Sequence, residues 1–295
     1  MREYEVQLPV LNLLFSDERY SVFFLFRTWK LNAFSSCAHK TGNSAVHIRF
    51  CHSAVRSLDG LERIYIAEEF PFSRQIHRLS DSQFVFTYYG NRVYLQYLYD
   101  TKESSITLLE DQTETDGFAA IEYLSRLLPG LLLQQEALTI HGVLMEHDGR
   151  GIIVSAPSGV GKTTHTHLWR DHKHAITLNG DLSACYLKQT DHGPIWTGFG
   201  TPWCGTSGEC MNREVPITAI VALERADQNE AVRLDGFEAF KAVIPQLQLP
   251  AWDKRLAETG ADLLIEMLNT IPVIRLRCRP DVDAVDTLDQ ALQKL

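Results

Sequence analysis

Ala156 to Thr164 reads A-P-S-G-V-G-K-T-T, a glycine-rich stretch that ends in a lysine and two threonines. It follows the apolar run Gly151 to Ser155 and precedes residues that can continue as a helix. A strand, a glycine-rich turn and a helix in this order are the context of a phosphate-binding P-loop. Ala156 replaces the first glycine of the pattern, and its Cβ would make a positive φ costly there. The G-V-G-K-T core is intact, so the stretch predicts a phosphate-binding loop.

The residue types in this loop suit the chemistry of a triphosphate. Gly159 and Gly161 let the backbone N–H groups turn toward phosphate oxygens. The helix beginning near Lys162 adds the positive end of its dipole. Lys162 can reach the β- and γ-phosphates, and the Thr163 hydroxyl can bind Mg²⁺. A glycine turn without a ligand is the alternative, but it leaves the lysine and two hydroxyls with little structural purpose. We therefore expect a nucleoside triphosphate with Mg²⁺.

The composition argues against several other classes of protein, namely nucleic-acid-binding, membrane and disulfide-bonded proteins. The chain has 295 residues and a net charge of −9, with a pI near 5.7, which argues against a broad nucleic-acid-binding surface. No signal peptide is visible, and the longest apolar stretch, residues 118–133, is too short and too polar to span a bilayer. The six cysteines are scattered, without C-x-x-C spacing, which is typical of reduced thiols. We expect a cytoplasmic protein with neither a membrane nor a nucleic acid as partner.

The first region, residues 1–115, is strand-rich. Tyr20 to Phe26 and Ala45 to Phe50 are short β-branched or aromatic runs, which favour strands. Gln83 to Tyr89 and Arg92 to Tyr99 flank Gly90-Asn91, which predicts a tight hairpin. The polar residues 102–114 are expected to be a loop or an edge strand. Nothing in this region carries a chemical motif.

The second region, residues 116–295, alternates helical and strand patterns. Residues 116–135 have a helical period that Pro129-Gly130 should end or kink. Asp148-Gly149 between two apolar runs predicts a β-hairpin, so the strand entering the glycine loop pairs antiparallel with the strand before it. Most P-loops are instead fed from a parallel sheet. Further strands are expected at 175–178, 182–187, 216–224 and 272–278, and helices at 163–171, 237–249, 254–270 and 284–295.

Several polar residues follow the loop. Asp181 ends the next strand, where a second Mg²⁺ contact or a base for an attacking hydroxyl is expected. The stretch from Ile195 to Gly205 predicts a strand that leads into a mobile, glycine- and serine-bearing loop ending at Glu214, and the region 198–213 is suited to receiving a substrate. Arg213 could face a transferring phosphate or be a solvated loop residue. Four histidines cluster after the loop, but their spacing does not favour a metal site: His165, His167, His172 and His174.

An ordered set of motifs resembles the bacterial HPr kinase/phosphorylase-related family over about Leu138 to Leu292. The motifs are H-G-V-L from His141, G-V-G-K-T-T-H-T-H-L-W, L-N-G-D, G-T-P-W-C-G, V-A-L-E-R and I-P-V-I-R-L-R-C-R-P. The resemblance implies an α/β fold with a mixed-sheet P-loop kinase core, shared with phosphoenolpyruvate carboxykinase, in which a hairpin precedes the P-loop. It implies ATP and Mg²⁺ as cofactors and phosphorylation of a serine or threonine hydroxyl in a protein or peptide.

The same resemblance implies roles for individual residues. Asp181 takes one of a pair of aspartate positions, where it binds Mg²⁺ with Thr163 or accepts the hydroxyl proton. His141 matches the histidine of the family's H-G motif, near the phosphates, and Lys162 neutralises charge during transfer. The triphosphate is expected on these residues: Ser158, Gly159, Val160, Gly161, Lys162, Thr163 and Thr164.

The sequence departs from the family at Gly180, where the first of two adjacent aspartates is expected. Asp181 could cover both roles, or His141 could act as the base. A second hypothesis is a nucleotide-binding regulatory protein without phosphoryl transfer, and a third is a small-molecule hydroxyl kinase. The phosphorolysis signature is not recognisable, so the reverse reaction is not expected. Founding family members form rings, which makes a homo-oligomer possible.

Overall fold

The computed structural model describes residues 2–17, 33–35, 44–50, 56–69, 72–90, 93–111 and 118–295. The chain divides into two compact units, Met1–Leu128 with Pro250–Lys254, and Pro129–Leu249 with Arg255–Leu295. The expected boundary at 115/116 and the strand predicted at Tyr20 to Phe26 lie outside the described residues. The protein is of the α/β class, with mixed sheets and a strand-rich N-terminal part.

The first unit contains an eight-stranded sheet in its described part, in the order β1-β2-β3-β8-β7-β6-β5-β4. Its strands are β1 (Arg2–Gln7), β2 (Leu11–Asp17), β3 (Ser44–Phe50), β4 (Glu62–Glu69), β5 (Phe72–Arg78), β6 (Gln83–Gly90), β7 (Val93–Asp100) and β8 (Ser105–Asp111). Helix α1 (Phe118–Leu124) follows them. The predicted β6–β7 hairpin is present. Of the residues 102–114 expected as a loop or edge strand, 102–104 form a turn and 112–114 lie outside the described residues, whereas the expectation is wrong for 105–111, because β8 pairs on both sides, with β3 and β7.

A distant segment completes the core of the first unit. The ring of Trp252 lies 5.1 Å from that of Phe84, 5.3 Å from that of Phe86 and 6.0 Å from that of Tyr99. Tilted and edge-to-face contacts at such distances are the favoured geometry of aromatic pairs. Residues 250–254 therefore belong with the first unit, although they lie far from it in sequence.

The second unit contains helices and another mixed sheet of eight strands. Its strands are β9 (Ala137–His147), β10 (Arg150–Ser155), β11 (Ile176–Asn179), β12 (Leu182–Lys188), β13 (Ile195–Phe199), β14 (Glu214–Arg225), β15 (Glu230–Leu234) and β16 (Val273–Cys278). Its helices are α2 (Leu128–Leu133), α3 (Lys162–Lys173), α4 (Gly236–Val243), α5 (Lys254–Leu268) and α6 (Val282–Leu292), with 3₁₀ turns at Gly205–Ser207 and Ile244–Gln246. Leu128 and Lys254, the first residues of α2 and α5, fall in the first unit.

Five strands of the second unit, β9, β10, β12, β13 and β14, close into a ring. The first half of β9 pairs with β12, whereas its second half pairs with β10 on one edge and β11 on the other. In the same way β14 pairs with β13 near its start and then with β10 and β16. The predicted β9–β10 hairpin is confirmed, with Asp148 and Gly149 at φ of 50° and 75° in its turn. On its other side β10 is parallel to β14.

Alternating side chains of the sheet fill two apolar layers. Ile153 packs in one layer, with Leu133 of α2, Val243 of α4 and Leu264 of α5. Its neighbours Ile152 and Val154 pack in the other, with α3 and α6. Successive residues of a strand face opposite sides of the sheet, so the apolar run of β10 contributes side chains to both layers. No helix in the described ranges is long and apolar enough to cross a membrane.

Two local expectations are corrected. The helical period of 116–135 is interrupted at residues 125–127, and Pro129 lies in the first turn of α2 rather than at the end of a helix. Proline is favoured there because its missing N–H would have no helical partner. Strand β15 was not expected from its polar sequence, E-A-V-R-L, and it forms the edge of the sheet beside β16.

Candidate functional site

The strand register brings the end of β10 beside His141 and Asp181. Gly142 lies opposite Ser155, the last residue of β10, and His141 lies opposite Leu182, the first residue of β12. The N–H of Gly142 also donates to the carbonyl oxygen of Asp181 at 2.8 Å. Three strands that pair side by side therefore place the glycine loop, His141 and Asp181 at one edge of the sheet.

The glycine loop, defined here as Ala156–Gly161, turns on two residues of positive φ. Gly159 has a φ of 80° and Gly161 a φ of 121°, which only glycine adopts without strain. Ala156 is not among the residues of positive φ, and its side chain is buried in the layer beneath α3 and α6. The conformational cost expected for alanine at this position is therefore absent.

The Lys162 side chain folds back across the glycine loop. Its Nζ donates to the carbonyl oxygen of Ala156 at 2.7 Å and lies 3.2 Å from Nε2 of His141. Burial lowers the pKa of Lys162, and the nearby charge of Asp181 acts in the opposite direction. The ammonium group is thus held at the site by a neutral carbonyl and an imidazole, at a position where an anionic ligand would stabilise its charge.

His141 connects Lys162 to the Asp181 carboxylate. Its Nε2 lies 3.4 Å from Oδ1 of Asp181, and its Nδ1 lies 3.1 Å from Oε1 of Gln246. An amide oxygen only accepts hydrogen bonds, so this pairing assigns the proton of the neutral ring to Nδ1. In this tautomer Nε2 accepts a hydrogen bond from Nζ of Lys162, and it is the basic nitrogen of the ring, 3.4 Å from the Asp181 carboxylate.

Gln246 is a site residue that the sequence did not reveal. It lies in the 3₁₀ turn Ile244–Gln246, 105 residues after His141. The turn is anchored to β9, since the N–H of Gln248 donates to the carbonyl oxygen of Thr139 at 2.8 Å. No local pattern marks a glutamine as the partner of a distant histidine.

Asn179 sets the position of Asp181. Its buried Oδ1 accepts hydrogen bonds from the N–H groups of Asp181 at 3.0 Å and Leu182 at 2.8 Å. Its Nδ2 donates to the carbonyl oxygens of Thr201 at 3.1 Å and Trp203 at 3.3 Å. The L-N-G-D and G-T-P-W motifs therefore meet at one side chain, and the loop after β13 is held against the start of β12.

A side chain at Gly180 would require Ser207 to move. A Cβ at this position would collide with Oγ of Ser207 and lie 3.1 Å from the carbonyl oxygen of Cys204. The Ser207 hydroxyl is itself bound in the loop, donating to that carbonyl oxygen at 3.0 Å. Ser207 fills the space next to Asp181 that the side chain of a second aspartate would need. The glycine at position 180, where the family has an aspartate, therefore fits the packing of this protein.

The hydroxyl groups expected to contact a ligand are exposed. Ser158, Thr163 and Thr164 are all solvent-accessible, in contrast to Thr166, which is buried and donates back to the carbonyl oxygen of Lys162. Among the described residues no three His, Cys, Asp or Glu side chains converge as a metal site. Mg²⁺ in nucleotide sites commonly uses one or two protein oxygens together with phosphates and water. The exposed Thr163 hydroxyl and the half-exposed Asp181 carboxylate are the hard oxygen donors that fit such an ion.

Arg225 is the last residue of the V-A-L-E-R motif, but the sequence did not indicate its role. It lies at the end of β14, and its guanidinium donates to the carbonyl oxygens of Gly159 and Val160 at 2.6 and 2.9 Å. These two bonds turn the carbonyls of the glycine loop toward Arg225. The carbonyl oxygens of Gly159 and Val160 are therefore occupied by Arg225.

The histidines after the loop do not converge. His165 is buried, and its Nε2 accepts a hydrogen bond from Nε1 of Trp169 at 3.2 Å. Burial lowers the pKa of His165 to about 4. Nε2 of His167 lies 3.4 Å from Oε2 of Glu209, in the loop after β13. These histidines support helix α3 and its neighbouring loop.

Arg213 does not face the glycine loop. Its Nη2 lies 2.8 Å from Oε1 of the buried Glu146. Glu146 pairs with Gly151 near the start of β10, the opposite end of that strand from the loop. The idea that Arg213 contacts a transferring phosphate is therefore wrong.

No protein-family model matches this chain, and no curated protein matches it either.

Proposed function

We propose that this protein is an ATP-dependent kinase with a P-loop core like that of HPr kinase, and that its acceptor is a serine or threonine hydroxyl of a protein or peptide. The observation that carries the proposal is the chain of contacts Lys162–His141–Asp181 at the glycine loop, with 3.2 and 3.4 Å between successive polar atoms. A cation, a base and a carboxylate at a loop of this shape are the parts that phosphoryl transfer requires.

Binding of the triphosphate would change the partners of Lys162. The exposed face of the glycine loop and the start of α3 supply N–H groups for the phosphates. Lys162 would exchange the Ala156 carbonyl and the His141 ring for the β- and γ-phosphates, because an anionic oxygen binds an ammonium more strongly than a neutral one. The Thr163 hydroxyl and the Asp181 carboxylate would hold Mg²⁺, which neutralises charge on the phosphates.

Release of Lys162 would free Nε2 of His141. The acceptor oxygen attacks the γ-phosphorus while the bond from that phosphorus to the β,γ-bridging oxygen breaks and ADP leaves. The hydroxyl proton passes to Nε2 of His141, whose imidazolium form is stabilised by Asp181 at 3.4 Å. Gln246 keeps the other ring nitrogen protonated, so that the correct nitrogen faces the reaction. If His141 accepts the proton and Asp181 holds Mg²⁺, one aspartate is enough here, whereas the family that this chain resembles has two.

The test measures binding and transfer in parallel. Titration calorimetry follows ATP, ADP and a non-hydrolysable ATP analogue with and without Mg²⁺, and ADP release is followed with a library of serine- and threonine-containing peptides. We expect Mg²⁺-dependent binding, peptide-stimulated ADP release, and loss of turnover in Lys162→Ala but not in the control Lys294→Ala, which changes an exposed lysine near the C-terminus. Turnover at the wild-type rate in Lys162→Ala would overturn the proposal.

A second candidate function is nucleotide binding without transfer, and the packing of Ser207 on Gly180 favours it. In that case ATP binds, no acceptor is phosphorylated, and the loop that carries Ser207 changes its exposure on binding and alters the affinity of a partner. The two candidates differ in one result, ADP release from bound ATP. Stimulation of that release by a small hydroxyl compound rather than by a peptide would instead identify a small-molecule kinase.

A further inference from the structure

We propose that the cleft between the glycine loop and the ends of β14 and β16 binds the purine nucleoside part of the nucleotide. This inference rests on the proposed function, which assigns only the triphosphate to protein residues. The cleft has a volume of about 680 Å³, within the range of 300–1,000 Å³ that is usual for small-molecule sites. Its wall begins at Val160 and Gly161, so it opens directly from the loop where the phosphates would lie.

The position of the cleft in the sheet supports a ligand site. Strands β10, β14 and β16 run parallel to one another, so their carboxyl ends meet at the same edge. The glycine loop follows the end of β10, while Arg225 and Cys278 are the last residues of β14 and β16. In open α/β sheets ligands bind in crevices outside the carboxyl ends of the strands. Although β10 and β14 also belong to the closed ring of strands, they present with β16 a parallel edge of the same kind.

The floor of the cleft is apolar. Leu223 and Cys278 are 5% and 7% exposed, and both line the cleft together with Val160. Burial, with the nearby charge of Asp281, raises the pKa of Cys278 to about 11, so its thiol is neutral at physiological pH. A flat, weakly polar part of a ligand would therefore gain the most binding free energy by packing on this floor, because burial of apolar area contributes about 25 cal/mol per Å².

The rim of the cleft is polar and rigid. Arg225 lines it and is held by the glycine loop through its two hydrogen bonds to carbonyl oxygens. On the opposite side the N–H of Arg279 donates to Oδ1 of Asn229, and Nε of Arg279 pairs with Asp281 at 2.9 Å. Exposed Glu224 and Asp227 add hydrogen-bond acceptors. A guanidinium that is fixed beside an apolar floor can stack on an aromatic base, while carboxylates can accept from its amino group and the ribose hydroxyls.

These features favour a purine over a pyrimidine, because the larger bicyclic ring covers more of the floor. They also predict that the nucleoside adds affinity beyond that of the phosphates. For the wild-type protein we expect ATP and GTP to bind about fivefold more tightly than CTP and UTP, and ATP to bind about tenfold more tightly than inorganic tripolyphosphate, a ratio that corresponds to ~1.4 kcal/mol.

The decisive variant is Ala226→Trp. Ala226 lines the cleft, is half-buried, and its N–H donates to the carbonyl oxygen of Cys278 at 3.0 Å. The indole would fill space in the cleft from a position outside the glycine loop. We expect the ATP dissociation constant to rise at least tenfold while that of tripolyphosphate changes less than twofold. The matched control is Ala257→Trp, at a half-buried position of α5 that does not line the cleft.

Photolabelling of the wild-type protein with 8-azido-ATP provides a second test that needs no variant. Peptide mapping should place the label within residues 223–227 or 278–280, and excess ATP should remove it. Labelling elsewhere, or equal affinity for ATP and tripolyphosphate, would overturn the cleft assignment while leaving phosphate binding at the loop intact. Absence of binding for both ligands at millimolar concentration would instead overturn the proposed function, and the cleft assignment with it.

Discussion

The hydroxyl of Ser207 occupies the space that any side chain at Gly180 would need. The two residues are separated in sequence, yet the 3₁₀ turn Gly205–Ser207 lies directly against the L-N-G-D motif. Next to it Gly205, at a φ of 63°, approaches Asp181 so closely that a Cβ would lie 2.7 Å from that of the aspartate. Asp181 is therefore surrounded by the turn Gly205–Ser207, which leaves room for one carboxylate at this position.

Gly180→Asp is expected to destabilise the protein, although it restores the family-like pair of aspartates. The new side chain must displace Ser207, and overpacking of this kind costs about 1–3 kcal/mol. Combining it with Ser207→Gly should recover at least half of the loss, which urea unfolding of the single and double variants measures as a coupling energy. Additive effects of the two substitutions would show that the residues do not compete for the same space.

The combined variant also separates the two candidate functions. If one missing aspartate is all that prevents transfer, Gly180→Asp with Ser207→Gly should release ADP in the presence of acceptor faster than the wild type. The single variant Gly180→Asp is a poor test on its own, because the collision with Ser207 displaces the turn beside Asp181.

Asn179→Ala is expected to cost about 3 kcal/mol of unfolding free energy. The buried amide bonds both Asp181 and the loop at Thr201 to Trp203, and each buried polar group left without a partner costs about 1–3 kcal/mol. The amide protons of Asp181 and Leu182 should exchange faster with solvent in the variant, as seen by mass spectrometry or NMR. The control Asn269→Ala, at an exposed asparagine, should leave both stability and exchange within error of the wild type.

His165 makes stability depend on pH between its folded and unfolded pKa values. Burial lowers the pKa of His165 to about 4, from an ordinary value of 6.5. In this window the unfolded chain binds the additional proton, so the free energy of unfolding falls as the pH drops. From pH 7 to pH 5 this group alone should remove about 2 kcal/mol.

Urea unfolding of His165→Gln at the two pH values measures this contribution. The variant should lose about 2 kcal/mol less than the wild type over the same interval, because glutamine does not titrate. His192→Gln, at an exposed histidine, is the matched control and should retain the wild-type pH dependence. An unchanged pH dependence in His165→Gln would contradict the assignment of a neutral, buried imidazole.

Trp252→Ala is expected to destabilise the first unit by about 3 kcal/mol. Its ring contacts Phe84, Phe86 and Tyr99, and truncation of a large aromatic residue in a core typically costs 3–5 kcal/mol. Because Trp252 is partly exposed, the lower end of that range applies. Hydrogen exchange should accelerate in β6 and β7, whereas Phe237→Ala, at a side chain that is 71% exposed, should have no such effect. Unaltered exchange in β6 and β7 would mean that the segment 250–254 does not support this core.

Much of the local structure follows from short stretches of sequence. The β9–β10 hairpin is encoded by two apolar runs around Asp148-Gly149, and the glycine loop by Gly159 and Gly161 between a strand and a helix. Each of these depends on the backbone torsions of a few adjacent residues, which residue type alone restricts. The exceptions are informative: Pro129 begins a helix rather than ending one, and polar β15 becomes a strand only because the edge of β16 is available to it.

The glycine-rich motif, the hairpin before it and the candidate residues Lys162, His141 and Asp181 can be read from the sequence. The three-dimensional packing was needed to show that Gln246 contacts His141, that Asn179 holds Asp181, that Arg225 binds the glycine loop, and that Ser207 fills the space beside residue 180. Apart from the local hydrogen bond between Asn179 and Asp181, these contacts join residues tens to more than a hundred positions apart. Their formation depends on strand register and on loop packing across the sheet, which are set by the sum of many distant contacts rather than by any local pattern.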